Sequence, residues 1–428
     1  MTDVNGAAMD RGFTVTARLP DERLGRAGVI STPHGVIRTP AFIPVGTKAT
    51  VKAVLPESMA SLGAQALLAN AYHLYLQPGA ELIDAAGGLA AFMNWPGPTY
   101  TDSGGFQVLS LGVGFKKVLA MDTAIASHDD VVAPGKDRLA HVDDDGVTFK
   151  SHLDGRLHRF TPEISMQVQH HLGADLIFAF DECTTLHNTR GYQEGSVERT
   201  QAWAIRCLAE HRRLTIERPH QPVQQLLGVV QGAQYEDLRR SAARGLAALE
   251  VDGQRFDGFG IGGALSKSML GDIVRWVCEE LPEQASRHLL GIGEPADIFA
   301  AVAAGADTFD CVAPTRNARN GAIHTSTGRY NITASAHRRA FVPLDESCDC
   351  YTCAHYTRAY LHHAFRAKEM IGATLASIHN ERFIVRLVDG IRQAILDESF
   401  DEYRIETLGR LGLLDPATDV PAATGPQA

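Results

Sequence analysis

The sequence has no long hydrophobic run. Nothing in its 428 residues approaches the roughly 18 to 20 uncharged apolar residues that a membrane-spanning helix needs. The first residues, MTDVNGAAMDRG, also lack the apolar core of a secretory signal. We therefore expect a soluble protein of the cytoplasm with no membrane partner.

The sequence has fewer basic than acidic residues, with 40 Lys and Arg against 50 Asp and Glu, so its formal net charge is −10. The summed field would repel a nucleic acid, so such a partner must meet a local basic face. Apolar residues make up 45% and charged residues 21%, which is ordinary globular usage and excludes a disordered or fibrous chain. The length allows two or three domains of about 150 residues, or one α/β barrel with insertions.

Cysteine is scarce and unevenly placed. There are seven, and three of them crowd together as Cys348, Cys350 and Cys353. A disulfide framework is not built in this way, so the spacing favours a reducing compartment and a metal site. With His379 of the SIHN segment, the three thiolates would complete a closed tetrahedral shell for one structural Zn²⁺. Three buried thiols without a metal are the less favoured alternative. On spacing alone, the fourth ligand could also come from His355, His362 or His363.

Short apolar, β-branched runs alternate with helical patterns along the chain. Thr161-Pro162-Glu163 predicts a helix start, and the apolar residues between Leu270 and Leu281 recur at the spacing of an amphipathic helix. Repeated strand–helix units predict a parallel sheet, and about eight of them favour a closed (β/α)8 barrel over an open doubly wound sheet. The strand candidates are residues 67–71, 99–102, 147–151, 176–181, 226–231, 258–263, 288–293 and 307–312.

The α/β domain is predicted to span residues 13–412. Residues 1–12 and 415–428 are small, polar or Pro- and Ala-rich without periodicity, so we expect a disordered N-terminus and a flexible tail. Residues 113–142 interrupt the alternation of strands and helices and are interpreted as a surface insertion. Residues 316–380, rich in Arg, His and Cys, are interpreted as a zinc-binding subdomain inserted near the C-terminus.

Polar groups follow six of the strand candidates. In a barrel, the carboxyl ends of the strands share one face, so these groups should converge there. Carboxylates, an amide and glycine-exposed backbone N–H groups suit a planar ligand with Watson–Crick-type edges. A single Asp at a strand end is more often a helix cap or turn residue, but three on three strands are harder to explain as caps. The groups are Asp102 to Gln107, Asp181 to Cys183, Gln231-Gly232, Gly262-Gly263, Gly291 and Asp310-Cys311.

These motifs, in this order, resemble the bacterial tRNA-guanine transglycosylases, the enzymes of queuosine biosynthesis that exchange a tRNA base. The resemblance is carried by TDSGGFQVLSL, FAFDECT, GVVQG, GIGG, LLGIG, DTFDCVAPTRNARNG and the Cys/His site. It implies a (β/α)8 barrel with a zinc-bearing insertion, and a homodimer. The implied reaction replaces guanine at the anticodon wobble position of tRNA with a 7-substituted 7-deazaguanine, without ATP or a redox cofactor.

The resemblance also implies roles for individual residues. Asp310 would be the nucleophile that attacks ribose C1′, and Asp102 the general acid and base. Asp181 would accept hydrogen bonds from N1 and N2 of the base, while Gln231 and the Gly263 N–H would bind its carbonyl oxygen. The remaining substrate contacts would be Phe106 and Leu290, which sandwich the ring, Cys183 in the pocket wall, and Gly291.

A local basic patch is available for the RNA backbone. Residues 311–370 contain eight Lys and Arg against four Asp and Glu, a local net charge of +4. Arg316 and Arg319 are the two that we expect to contact the tRNA anticodon stem-loop, with Lys48 and Lys52 nearby. The zinc-binding subdomain would hold this patch rigid, and the residues that bind the zinc should not contact the substrate.

One segment departs from the family pattern. The family commonly has Gly-Gly-Leu-Ala-Val-Gly-Glu where this chain has Gly262-Gly263-Ala264-Leu265-Ser266-Lys267-Ser268. The Glu is absent and Ser266 replaces Val, so we hypothesise a wider pocket that accepts queuine beside the small aminomethyl precursor.

Two other functions compete with this interpretation. The chain could be a non-catalytic tRNA-binding subunit, which the presence of both Asp102 and Asp310 argues against. It could also be a barrel glycosidase or metal hydrolase acting on a small nucleoside, but no strand-end His pair offers an open metal site.

Overall fold

The computed structural model describes residues 12–112, 140–263 and 265–414. The predicted flexible tail, most of the predicted insertion and all but Gly12 of the predicted disordered N-terminus therefore lie outside the described residues; Gly12 begins a strand instead. The strands, in chain order, are β1 (Gly12–Arg18), β2 (Arg26–Thr32), β3 (Gly35–Thr39), β4 (Ala41–Pro44), β5 (Leu67–Ala69), β6 (Thr99–Thr101), β7 (Ala140–Asp143), β8 (Gly146–Lys150), β9 (Leu157–Phe160), β10 (Leu176–Phe178), β11 (Gln225–Val230), β12 (Gly258–Ile261), β13 (Ser286–Leu289), β14 (Thr308–Cys311), β15 (Ala322–Thr325) and β16 (Gly328–Asn331).

Helices follow most of the strands. They are α1 (Pro56–Ser61), α2 (Ala71–Leu76), α3 (Ala80–Ala85), α4 (Leu89–Phe92), α5 (Gly105–Gly112), α6 (Pro162–Leu172), α7 (Arg190–Glu217), α8 (Glu236–Ala248), α9 (Leu270–Cys278), α10 (Pro295–Ala303), α11 (Ala313–Arg319), α12 (Tyr351–His355), α13 (Arg358–Arg366), α14 (Met370–Leu396) and α15 (Phe400–Leu411). Two short 3₁₀ turns lie at Lys267–Met269 and Ser335–Arg339.

Eight parallel strands form the central sheet, in the order β4-β14-β13-β12-β11-β10-β6-β5. The two outer strands meet where Val45 bridges Leu68 and the Gly46 N–H donates to the Leu68 carbonyl at 2.7 Å. This contact closes the sheet, and the predicted (β/α)8 barrel is confirmed. The interior is filled by inward side chains such as Ile43, Tyr100 and Phe178, so the barrel is a packed core rather than a channel.

All eight strand candidates overlap strands, but only seven of them lie in the barrel, so the expected place of the eighth was wrong. Residues 147–151 overlap β8, which pairs antiparallel with β7 and β9 outside the barrel. Its buried Val147 and Phe149 alternate with the more exposed Thr148 and Lys150, as expected for a strand covered on one face only. The missing barrel strand is β4, whose four residues AFIP follow one proline and end on another, a composition that argues against a strand.

Both predicted helices are present. Thr161 caps α6, since its hydroxyl accepts from the Ile164 N–H at 3.3 Å and Pro162 begins the helix. The buried face of α9 is formed by Leu270, Ile273, Val274 and Val277, while Leu281 lies buried beyond the helix end. None of the helices in the described residues is both long enough and apolar enough to cross a bilayer.

The region after β14 has a small core of its own. Ile323, Ile332, Leu344 and Leu361 pack there together with Leu375 of α14. Helix α14 then runs on to Leu396 and packs against β4 and α10 of the barrel. The subdomain boundary predicted at residue 380 thus falls inside this helix, so one continuous element joins the Cys-rich region to the barrel. Residues 140–142 of the predicted insertion belong to β7.

Candidate functional site

The polar residues singled out in the sequence stand at the carboxyl ends of different barrel strands. Asp102 directly follows β6, Gln231 directly follows β11, and Asp310 lies within β14. Asp181 lies beyond the end of β10, and Gly263 beyond the end of β12. Because the strands are parallel and the sheet is closed, these ends form one rim.

Asp102 is held by the segment that follows the neighbouring strand β5. Its Oδ1 accepts the Ala71 N–H at 2.8 Å, and its Oδ2 accepts a hydrogen bond from the Asn70 side-chain amide. Burial raises the pKa of Asp102 to about 6, and the negative charge of Asp310 acts in the same direction. A carboxyl group with such a pKa can both give and take a proton near neutral pH.

Asp181 and Gln231 form a second, more deeply buried group. Asp181 accepts from the Ser103 hydroxyl at 2.9 Å and from the Gln231 side-chain amide nitrogen at 2.6 Å. Burial raises the pKa of Asp181 to about 6. Gly263 adjoins this group with a φ of +85°, and a Cβ added to it would lie 2.4 Å from Gln231 Oε1. Only glycine therefore fits here without displacing the amide.

Asp310 is bonded differently from the other two carboxyl groups. Its Oδ1 accepts the His288 Nε2–H at 3.1 Å and the Gly291 backbone N–H, also at 3.1 Å. The side chain is 14% exposed at the barrel mouth. The Asp310 charge contributes to the raised pKa of Asp102, which places the two carboxyl groups near each other.

The remaining candidate contacts surround this rim. Phe106, on α5, is an exposed aromatic ring, while Leu290 is half-buried, and a Cβ added to Gly260 or Gly262 would be in van der Waals contact with its Cδ1. Cys183 is partly buried, and burial raises the pKa of its thiol, so it is protonated and unreactive at neutral pH. Gly291 contributes its backbone N–H to Asp310.

Two residues of the rim were missed in the sequence. Asn70 lies within a predicted strand segment, LLANA, and a polar amide at the end of an apolar strand was an available signal. His288 begins the segment HLLGIG, where an imidazole in an otherwise apolar run was the corresponding signal.

Cationic side chains lie beside the rim. Arg316 and Arg319 are exposed on α11, which begins three residues after Asp310. Lys48 and Lys52 follow β4, the strand next to β14. Burial, followed by the positive charges of Arg319 and Lys48, lowers the pKa of Lys52, so these three cations share one surface. Arg358, by contrast, donates to the carbonyls of residues 343 and 344 and serves the local fold.

Cys348, Cys350, Cys353 and His379 come together as a compact donor set. Their ligand atoms all lie within 4.8 Å of one another. His379 Nδ1 is 3.6 Å from Cys350 Sγ and 3.3 Å from Cys353 Sγ, against about 3.5 Å expected between S and N in a tetrahedral zinc shell. His379 Nε2 donates to the His324 carbonyl at 2.6 Å, which leaves Nδ1 free to bind metal. These residues fit a metal ion.

Asn380 connects the donor set to the cationic helix. Its amide nitrogen donates to the carbonyls of Pro314, at 3.2 Å, and Ala322, at 2.9 Å, and its oxygen accepts the His324 N–H at 3.1 Å. The residue after the metal-facing histidine thus fixes both ends of the turn that contains α11.

We expect the purified protein to contain one Zn²⁺ per chain and Cys353→Ser to lose it, because a closed shell loses affinity sharply with one thiolate. Metal content by mass spectrometry and the melting temperature measure this. Cys278→Ala, which removes a buried thiol far from the donor set in sequence, is the matched control and should retain zinc. Full zinc occupancy in Cys353→Ser would contradict the assignment.

The chain is similar to known proteins over nearly its whole length. The family model described as Queuine tRNA-ribosyltransferase matches residues 21–411. A protein of that name from Roseiflexus sp. (strain RS-1) is 45% identical over 412 residues, covering 94% of this chain and 100% of that protein. Proteins of the same name from Herpetosiphon aurantiacus and Moorella thermoacetica are 43% and 44% identical, covering 93% and 91% of this chain and 92% and 95% of theirs.

Proposed function

The chain belongs to the queuine tRNA-ribosyltransferase family, and from this premise we propose that it exchanges guanine at the anticodon wobble position of tRNA for a 7-deazaguanine. The family resemblance read from the motifs is confirmed by these matches. The proposed enzyme is a pentosyltransferase that acts in queuosine biosynthesis, with 7-aminomethyl-7-deazaguanine as the incoming base. A tRNA substrate and reduced thiolates both suit the cytoplasm, where we place it.

The observation that carries this proposal is the pair of carboxyl groups Asp102 and Asp310 at one barrel mouth, in different environments. Asp310, with one oxygen held by two N–H donors at the barrel mouth, is suited to act as the nucleophile. Asp102, with a pKa of about 6, is suited to carry a proton in part of the population. Two carboxyl groups whose surroundings separate their roles are the usual arrangement for cleaving a bond to a sugar carbon.

In the first half-reaction, a lone pair of the Asp310 carboxylate forms a bond to ribose C1′ while the C1′–N9 bond breaks. The electron pair of that bond leaves with guanine, and Asp102 supplies the proton that neutralises the departing base. The product is an ester between Asp310 and C1′ of the tRNA.

In the second half-reaction, the incoming 7-deazaguanine attacks C1′ from the face that guanine left. Asp102 takes the proton from its N9, and the C1′–O bond returns its electrons to the Asp310 carboxylate. Two inversions give net retention, and the number of glycosidic bonds is unchanged, so no external energy source is needed.

The buried group of Asp181, Gln231 and Gly263 is suited to read the edge of the base. An ionised Asp181 accepts from N1–H and N2–H, while the second amide proton of Gln231 and the Gly263 N–H face the carbonyl oxygen. Phe106 and Leu290 would cover the two faces of the ring, as expected for a base extruded from the nucleic acid. Cys183 and Gly291 complete the wall.

The exposed cations beside the rim are suited to the phosphates that flank the extruded base. Arg316 and Arg319 on α11, with Lys48 and Lys52, supply the local positive face that a protein of net charge −10 needs. The metal site, which we assign to one structural Zn²⁺, would fix α11 through the contacts of Asn380.

A homodimer contact is proposed at the metal-binding region. Three large apolar side chains of this region are exposed, Phe341 at 76%, Tyr351 at 55% and Met370 at 85%, and exposed apolar surface is what subunit contacts bury. This placement agrees with the homodimer that the resemblance implies.

The function is tested by Asp310→Asn. The wild type is expected to give a slow-migrating protein–tRNA band on a denaturing gel and to exchange radiolabelled guanine into tRNA. The variant should give no band and exchange more than about 10³-fold more slowly, because the nucleophile is lost. Asp272→Asn, an exposed carboxylate on α9, is the control and should match the wild type. No exchange by the wild type would favour a non-catalytic tRNA-binding subunit.

Base binding should depend on the ionisation of Asp181. Its raised pKa of about 6 means that the carboxyl group is protonated below that pH, and a protonated oxygen cannot accept from both N1–H and N2–H. The dissociation constant of guanine, measured by calorimetry, is expected to weaken about tenfold per pH unit below pH 6 and to level off above pH 7. Asp181→Asn should bind weakly without this dependence, and Asp102→Asn should keep it. A flat profile in the wild type would exclude Asp181 as the ionised acceptor.

Ser266 is the expected determinant of the accepted 7-substituent. If the smaller side chain widens the pocket, the wild type should incorporate both queuine and the aminomethyl precursor. Ser266→Val should slow queuine exchange about tenfold, the usual effect of filling a pocket by a methyl-sized group, and leave the precursor unaffected. Ser268→Ala removes the 2.9 Å partner of the Ser266 hydroxyl without changing residue 266, and serves as control. No queuine incorporation by the wild type would end this hypothesis.

A further inference from the structure

His288 is a buried imidazole of β13 that the residue roles above leave unused. The side chain is 1% exposed and packs against the rings of Tyr100 and Phe178, whose centroids are 5.4 and 5.3 Å from its own. Both of its nitrogens have partners on β14, since Nδ1 lies 2.8 Å from Thr308 Oγ1 and Nε2 lies 3.1 Å from Asp310 Oδ1. The ring is therefore fixed in position and in rotation.

The register of the two strands dictates this contact. His288 is directly opposite Thr308 in the parallel pair β13–β14, and Leu289 is opposite Phe309. Alternate residues of a strand share one face, so Thr308 and Asp310 point to the same side as His288. The imidazole bridges the side chains of Thr308 and Asp310, with one ring nitrogen towards each.

The hydrogen-bond partners also determine which nitrogen carries the proton. An ionised carboxylate only accepts, so Nε2 must be the donor towards Asp310 Oδ1. A neutral ring then has an unprotonated Nδ1, which accepts the Thr308 hydroxyl proton. The carboxylate thus selects the tautomer, and the Thr308 hydroxyl, which can donate to the unprotonated Nδ1, is compatible with it.

The two oxygens of Asp310 are consequently unequal. Oδ1 receives two N–H donors, from His288 and from Gly291, and no hydrogen bond from the described residues reaches Oδ2. Two donors on one oxygen restrict rotation of the carboxylate about its χ2 angle. They leave the second oxygen with its lone pairs available at the barrel mouth.

We propose that His288 is a positioning residue that holds Asp310 by Oδ1 so that Oδ2 is the atom that attacks ribose C1′. This inference rests on the nucleophile assigned to Asp310 in the proposed function. The bond formed is C1′–Oδ2 and the bond broken is C1′–N9, with its electron pair leaving on the guanine that Asp102 protonates. His288 keeps its own proton throughout and touches no substrate atom.

The test compares two substitutions of the same residue. His288→Gln places an amide N–H where Nε2–H was, and His288→Phe keeps a ring against Tyr100 and Phe178 but has no donor. The rate of covalent protein–tRNA formation in a single turnover should fall about 100-fold in His288→Phe, the effect of misplacing a reacting group by about 1 Å. His288→Gln should lie within about fivefold of the wild type, and the KM for tRNA should change less than twofold in both.

A purely structural role makes a different set of predictions. His288→Phe would then form the covalent complex at the wild-type rate once folded, or His288→Gln would be as slow as His288→Phe at an unchanged melting temperature. Either result overturns the inference. If His288→Phe does not fold, Thr308→Val decides the question, because it removes the hydroxyl that holds the imidazole at Nδ1 without changing side-chain size. We expect it to slow adduct formation about tenfold, and a wild-type rate would overturn the inference.

Asp310→Asn, run in parallel, separates this inference from the proposed function. If the wild type forms no adduct, or Asp310→Asn still exchanges guanine, the nucleophile assignment fails and the role of His288 fails with it. If the adduct depends on Asp310 but forms at the wild-type rate in His288→Phe, only the positioning role fails.

Discussion

Closure of the parallel barrel is the constraint on which the site depends. The residues that gather at its mouth come from strands far apart in the chain: Asn70 and Asp102 lie near the start, and Asp310 follows more than 200 residues later. No local segment could bring them together. The bridge between Val45 and Leu68 completes the ring of strands, and the parallel pairing then puts every carboxyl end on one rim.

The same closure gives each carboxyl group its own surroundings. Asp181 is buried against Ser103 and Gln231, and Asp102 is held by Asn70 and Ala71. The loss of water raises the pKa of both carboxyl groups to about 6. Asp310 projects from a strand beside two N–H donors instead. Three chemically identical carboxyl groups therefore have different surroundings, which suit them to different chemical roles. Tertiary packing determines these surroundings.

The sequence predicted the parts of this arrangement that leave a local pattern. Apolar runs ending in Asp, Gln or Gly located the rim, and the tight Cys348–Cys353 spacing located the metal donors. It did not predict β4, because prolines at a strand's ends resemble a loop. It misassigned residues 147–151, since a half-buried antiparallel strand and a barrel strand are equally β-branched. The imidazole of His288 stood out in an apolar run, but its partners, Thr308 and Asp310, are determined by strand register, which no local pattern reveals.

The metal-binding region shows how one local signal can have a distant effect. The three thiols lie close together in the chain, but His379 belongs to α14, which continues to Leu396 along the barrel. An ion bound by all four residues would therefore tie α14 to the three thiols. Asn380, the next residue of α14, donates to the carbonyls of Pro314 and Ala322 and so connects α14 to α11. Arg316 and Arg319 lie beside Lys48 and Lys52, and like charges repel one another. The buried face of α11, formed by Pro314, Thr315 and Ala318, and the contacts of Asn380 oppose that repulsion. On a chain with net charge −10, this packing keeps four cations together beside the barrel mouth, and the Cys/His donor set adds to it without adding groups to the site itself.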